Sequence, residues 1–173
     1  MLTRKELSAY FSNTVLLDGA TGSNLQKAGM PRGCCTEEWI LANPDKLIAL
    51  QRQYAAAGSN ILYAPTFQAQ PIALDRVGLA KQAEAINAHL VALTKSVSPD
   101  VLVAGNLTTL AVYCDSFDPE NFDLLVENYR VQISMMGRTR ISKRRVMVFS
   151  KFRCRFSSRR SSAVSRIWAT VWL

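Results

Sequence analysis

Histidine and cysteine are scarce in this sequence, and their positions exclude a familiar metal site. The 173 residues contain one histidine, His89, and four cysteines, Cys34, Cys35, Cys114 and Cys154. Cys34 and Cys35 are adjacent, and no pair has metal-ligand spacing. His89 lies beside the apolar stripe of a predicted helix, where a packed or partly exposed side chain is expected; the stripe comprises Leu79, Ala83, Ile86, Leu90 and Leu93. We therefore assign no metal ligand and expect reduced, structural cysteines.

Long hydrophobic segments are also missing. No apolar run approaches the roughly 20 residues that a transmembrane helix requires. Residues 1–6 lead into no long apolar segment, so no signal peptide is predicted. Because 49% of the residues are hydrophobic, the composition is that of a folded protein rather than a disordered one. These features predict a cytoplasmic protein with one folded domain.

Acidic residues are absent from the C-terminal part of the chain. Residues 1–136 carry 10 basic and 13 acidic side chains, whereas residues 137–173 carry 11 basic side chains and no acidic one. The net charge of +8 therefore comes from a mildly acidic body followed by a basic tail that is rich in Arg and Ser. We predict a boundary between the two after residue 136.

Within residues 1–136, short apolar runs alternate with helical patterns. The runs begin near residues 15, 60 and 101, and each ends in polar residues. Such alternation predicts an α/β fold of parallel βα units. A complete (β/α)8 TIM barrel needs roughly 250 residues, so three to four βα units of an incomplete barrel are expected. A doubly wound sheet fits nearly as well, but the first turn lacks the G-x-G-x-x-G motif of dinucleotide-binding proteins.

The first apolar run leads into a candidate ligand site. Asp18 follows Val15–Leu17 directly, so its carboxylate is expected at the C-terminal tip of a strand, where α/β proteins bind ligands. Gly19 and Gly22 allow a sharp turn and a close approach of the backbone to a small ligand. An ordinary Asp-Gly turn without a binding role is the alternative.

The basic tail admits three interpretations. It is a solvated segment, or it is a basic amphipathic segment that binds nucleic acid or an anionic membrane, with Phe149, Phe152 and Phe156 at helical spacing. The third interpretation, which we favour, is an out-of-frame tail, because the acidic residues and the βα pattern both stop near Met136.

Three segments carry a resemblance to a known family. They are Leu17–Ser23 with Leu25 and Gln26, then Gly58–Phe67, and more loosely Ala104–Thr108. On these segments, residues 1–136 resemble the N-terminal portion of the homocysteine S-methyltransferase family, in particular the homocysteine-binding domain of methionine synthase-type proteins. The resemblance implies a (β/α)8 barrel that transfers a methyl group to the homocysteine thiol, giving methionine.

The resemblance also implies cofactors and binding residues. The family uses zinc held by cysteine thiolates in later motifs, which the four cysteines of this chain do not match. Asp18 resembles the partner of the substrate ammonium, Gly19 gives close backbone approach, and Thr66 matches a strand tip that contacts the polar end of the substrate. The methyl donor stays open among folate, methylcobalamin on another domain, S-methylmethionine and betaine.

The resemblance thus predicts the truncated, substrate-side half of a homocysteine S-methyltransferase. Because the zinc cysteines and the acid of the fourth strand are missing, we expect this half to be inactive alone and assign no catalytic residue. Its expected partner is homocysteine, with no nucleic acid or membrane, and unclosed barrel edges favour self-association. The alternative is a basic-tailed module that binds nucleic acid or an anionic membrane.

Overall fold

A computed structural model of the chain describes residues 4–110, 119–137, 146–151 and 168–171. The helices are α1 (Arg4–Tyr10), α2 (Gly22–Lys27), α3 (Thr36–Ala42), α4 (Pro44–Ala56), α5 (Pro71–Leu74), α6 (Ala83–Lys95) and α7 (Phe122–Gly137). Short 3₁₀ turns lie at Asp75–Val77, Ala80–Gln82 and Pro119–Asn121. The strands are β1 (Ile61–Ala64), β2 (Leu102–Leu107), β3 (Val146–Lys151) and β4 (Trp168–Val171).

The strands form one sheet in the order β1-β2-β3-β4. β1 is parallel to β2, with Ile61 opposite Leu102, and β2 is parallel to β3, with Val103 opposite Val146. Helices lie between the successive parallel strands along the chain, which is the arrangement of βα units. The predicted α/β class is therefore confirmed in the described residues.

The predicted first strand is shorter than expected. Residues 15–18 form only an isolated parallel bridge, between Leu17 and Ile61. The backbone N–H of Asp18 donates to the carbonyl of Ile61 at 3.0 Å, but the N–H of Leu16 donates to the side-chain oxygen of Asn60 at 2.8 Å. Because a side chain takes one of the ladder bonds, the segment lies beside β1 without becoming a regular strand.

Part of the predicted tail belongs to the sheet. β3 lies within residues 137–173, and its parallel pairing with β2 puts it where the next strand of a βα series belongs. β4 runs antiparallel to β3, which departs from that series. Phe152, Phe156 and Cys154 lie outside the described residues, as does Cys114 of the preceding loop. The origin of residues 137–173 stays a prediction.

Amphipathic helices bury the apolar face of the sheet and one another. The predicted stripe of α6 is confirmed at its buried members Ala83, Ile86 and Leu90, although the helix begins at Ala83 because a 3₁₀ turn precedes it. The main buried cluster joins α2, α3, α4, α5 and α6 and comprises Leu25, Met30, Ile40, Leu47, Ala69, Leu74, Ala83, Ile86 and Leu90. His89 is exposed. In the described ranges, no helix combines the length and apolarity needed to span a membrane.

Candidate functional site

A cavity of about 330 Å³ lies at the C-terminal ends of the parallel strands. Four pieces of the chain form its wall: the turn after the first apolar run, the start of α3, the end of β1 with the loop behind it, and β2. The lining residues are Asp18, Gly19, Thr21, Gly22, Thr36, Glu37, Tyr63, Ala64, Pro65, Phe67, Gln68 and Asn106. The position agrees with the general location of ligand sites in α/β proteins.

Asp18 is half-buried in this wall, as its position after the first apolar run predicts. Its Oδ2 accepts a hydrogen bond from the backbone N–H of Tyr63 at 2.9 Å. Burial raises the pKa of the Asp18 carboxyl from 3.8 to about 6, and the hydrogen bond from Tyr63 opposes that rise. Near neutral pH the Asp18 carboxyl is mainly ionised. The free-energy cost of its burial is not offset by a cationic partner among the described residues. The carboxylate is therefore suited to receive a cationic group from a ligand.

Gly19 lines the cavity beside Asp18, but its small size has a second cause. A Cβ atom at this position would lie 2.9 Å from both Cε1 and the hydroxyl oxygen of Tyr54. That hydroxyl donates to the carbonyl of Ala20 at 2.9 Å and accepts from the amide of Asn24 at 3.0 Å. The turn is therefore held against α4 by a tyrosine ring that leaves room only for glycine.

We expect Gly19→Ala to destabilise the protein by about 1–3 kcal/mol, because the Tyr54 ring must move and lose its hydrogen bonds. Gly22→Ala is the matched control, since a Cβ there meets nothing within 4 Å. Chemical denaturation of the two variants measures the difference. Equal stability of Gly19→Ala and Gly22→Ala would show that Tyr54 does not constrain the turn.

Thr66 lies behind the cavity wall rather than in it. Its side chain is fully buried, and it is not among the lining residues. The hydroxyl donates to the carbonyl of Asn106 and accepts from the N–H of the same residue, both at 2.9 Å. Gln132 of α7 donates to the carbonyl of Thr66 at 2.7 Å. Thr66 thus ties the end of β1 to β2, and its predicted contact with the substrate stays a prediction.

Glu37 is a charged lining residue that the sequence analysis did not identify. Its side chain is only 2% exposed, and its Oε1 accepts from the N–H of Gln68 at 2.8 Å while the thiol of Cys35 donates to Oε2 at 3.8 Å. Burial raises the pKa of this carboxyl above its usual range. The signal in the sequence is its spacing from Ile40, because positions three apart share a helix face and Ile40 is fully buried.

The described cysteines do not fit a metal site. Among the residues that the structure describes, no three His, Cys, Asp or Glu side chains cluster closely enough to hold a metal ion. Cys34 is exposed and its thiol donates to the carbonyl of Pro31 at 3.1 Å. Burial raises the pKa of the Cys35 thiol, so the thiolate that a metal requires is disfavoured there.

Comparison with known proteins connects this fold to one family. The model of the homocysteine S-methyltransferase family matches residues 15–146. Two solved structures are similar to the chain, the metallated and the oxidized forms of the homocysteine methyltransferase MmuM from Escherichia coli. The metallated form has 21% sequence identity and a TM-score of 0.61 over 76% of this chain and 54% of that one. The oxidized form has 21% identity and a TM-score of 0.58 over 75% and 53%.

The chain thus spans about half the length of these structures. At this identity the likeness establishes the fold alone, and the matched part is about half of the fold of those structures. No curated protein sequence matches the chain.

Proposed function

Because the chain belongs to the homocysteine S-methyltransferase family, we propose that it carries the homocysteine-binding side of a (β/α)8 barrel that methylates the homocysteine thiol to give methionine. The observation that carries this proposal is the cavity at the strand ends with the Asp18 carboxylate in its wall. A cavity of about 330 Å³ is large enough for one small amino acid.

In this proposal Asp18 accepts the ammonium group of homocysteine. The Tyr63 N–H holds Oδ2 in place, and the other carboxylate oxygen stays available to the ligand. Gly19 lets the ligand approach the backbone closely. The hydroxyl groups of Thr21 and Thr36, which also line the cavity, are neutral donors for the carboxylate of the substrate. Thr66 contributes by holding the two strand ends that form the floor of the site.

Methyl transfer in this family implies zinc, and the E. coli relative has been solved in a metallated form. The described residues of this chain do not fit the metal, as shown above, so we derive no chemical step through it. We propose that this portion binds homocysteine and that the metal and the methyl donor belong to the rest of the barrel. The chain alone then does not complete the reaction.

We also propose that the protein is cytoplasmic and that its partner is homocysteine rather than nucleic acid or membrane. The residues after 136 are proposed to arise from another reading frame. Self-association is supported by the edge of the sheet, where Leu16 and Leu17 are 52% and 45% exposed beside the bridge to β1. Such an edge pairs readily with a second chain.

Isothermal titration of the full chain with L-homocysteine tests the binding role. We expect saturable binding with a Kd between about 10 µM and 1 mM. The control ligand is 4-mercaptobutanoate, which keeps the thiol and the carboxylate but lacks the ammonium group. Absence of homocysteine binding, or equal affinity for both compounds, would contradict the proposal.

A further inference from the structure

The wall of the cavity is unusual in its charge. It contains two carboxylic acids, Asp18 and Glu37, and no lysine, arginine or histidine. The ion pairs found in the described part of the chain lie elsewhere on the surface, between Lys46 and Asp45 and between Arg130 and Glu127. The cavity is therefore lined by acidic groups and by no basic side chain of the described residues.

Specific contacts within the fold hold Glu37 in the wall of the cavity. It lies in the first turn of α3, and its carboxylate holds the loop after β1 through the N–H of Gln68. Its partners, an amide N–H and the thiol of Cys35, are both neutral. A nearly buried carboxylate with only neutral donors is costly to keep charged, and a cation entering the cavity would offset that cost.

We propose that Glu37 is a ligand-facing carboxylate that works with Asp18 to make this cavity select small thiol ligands by their charge. A ligand with an ammonium and no carboxylate binds best, the amino acid follows, and a ligand with only a carboxylate binds worst. The inference rests on the proposed function for the choice of thiol ligands, and it extends that function by naming the residue that sets charge selectivity.

The test compares three thiols of similar length by titration of the full chain at pH 7.5. They are 3-mercaptopropylamine as the cation, L-homocysteine as the zwitterion and 4-mercaptobutanoate as the anion. Glu37→Gln keeps the oxygen that accepts from Gln68 and removes the charge. We expect this change to reduce the ratio of cation affinity to anion affinity by about tenfold, the size of one charge interaction in a partly solvated site.

Two further variants separate charge from structure. Glu38→Gln is the matched control, because Glu38 is the next residue of the same helix, is exposed and does not line the cavity; it should leave the ratio unchanged. Glu37→Asp keeps the charge on a shorter side chain, so it should retain the wild-type ratio even if the bond to Gln68 weakens. If Glu37→Gln does not fold, the wild-type affinities for the cation and the anion carry the test, because equal affinities overturn the inference.

The outcomes distinguish this inference from the proposed function. If homocysteine binds and Glu37→Gln leaves the ratio as in the wild type, the inference is wrong and the function stands. If homocysteine fails to bind but 3-mercaptopropylamine binds in a Glu37-dependent way, the function is wrong and the inference stands. A wild-type protein with no preference for the cation overturns the inference without any variant.

Discussion

Replacing Asp18 with asparagine is expected to weaken L-homocysteine binding by about 10- to 100-fold. Asparagine keeps an oxygen that accepts from the Tyr63 N–H, so the turn keeps its geometry. The loss is therefore that of a charge-assisted contact with the ligand ammonium, which is worth about 1.5–3 kcal/mol. Titration of both proteins with L-homocysteine measures the effect. An affinity within twofold of the wild type would show that the Asp18 carboxylate does not bind the ligand ammonium.

The pH dependence of wild-type binding checks the same residue independently. The pKa of Asp18 is raised to about 6 by burial, and only the carboxylate attracts an ammonium group. Affinity should therefore be nearly constant from about pH 7 up to the pH at which the ligand ammonium loses its proton, and it should fall as the pH decreases through about 6. Asp18→Asn should weaken this decline, because asparagine does not titrate, and the part that remains reports Glu37, whose pKa burial also raises.

Stability separates a binding defect from an unfolding defect in this variant. The folded pKa of Asp18 lies above its unfolded value of 3.8, so the group favours folding below about pH 4, and that contribution is lost as the pH rises through about 6. Asp18→Asn should therefore be at least as stable as the wild type at pH 7. A lower Tm at pH 7 would show that the carboxylate has a structural role that its pKa does not reveal.

Thr66→Val should destabilise the protein by about 1–3 kcal/mol. Valine has nearly the same shape, but it leaves the N–H and the carbonyl of Asn106 without the hydroxyl that each contacts at 2.9 Å. Unsatisfied polar groups in a largely buried setting cost about this much. Urea denaturation gives the difference in the free energy of unfolding.

Two variants serve as controls for this prediction. Thr66→Ser keeps the hydroxyl and should retain most of the stability. Thr94→Val removes a similarly buried hydroxyl that donates to the carbonyl of Leu90 one helical turn earlier in the same helix, so its effect should be small. If Thr66→Val were as stable as Thr94→Val, the link between the strand ends would have little energetic weight.

Residues whose partners are close in the sequence could be predicted well. The apolar stripe of α6 indicated its buried face, since a helix repeats every 3.6 residues whatever surrounds it. The runs near residues 60 and 101 likewise predicted β1 and β2. Asp18 was identified because a polar residue directly after an apolar strand lies at the strand tip. These inferences depend on local geometry alone.

Residues whose role depends on distant partners could not be predicted in the same way. Residues 15–18 form a bridge rather than a strand because Asn60, far along the chain, takes the Leu16 N–H. Thr66 faces Asn106, 40 residues away, and so lies behind the cavity instead of lining it. In the sequence, Glu37 is only an acidic residue in the first turn of a helix. The packing of α3 against the loop after β1 is what brings it into the cavity wall.

The amino-acid sequence by itself determined the alternation of helices and strands, the family and the position of Asp18, because all three follow from periodicity and short motifs. Only the tertiary structure decided which side chains share the cavity with Asp18. That choice depends on how α3, the loop after β1 and β2 pack together, and packing between distant segments is set by shape and by the need to satisfy buried polar groups.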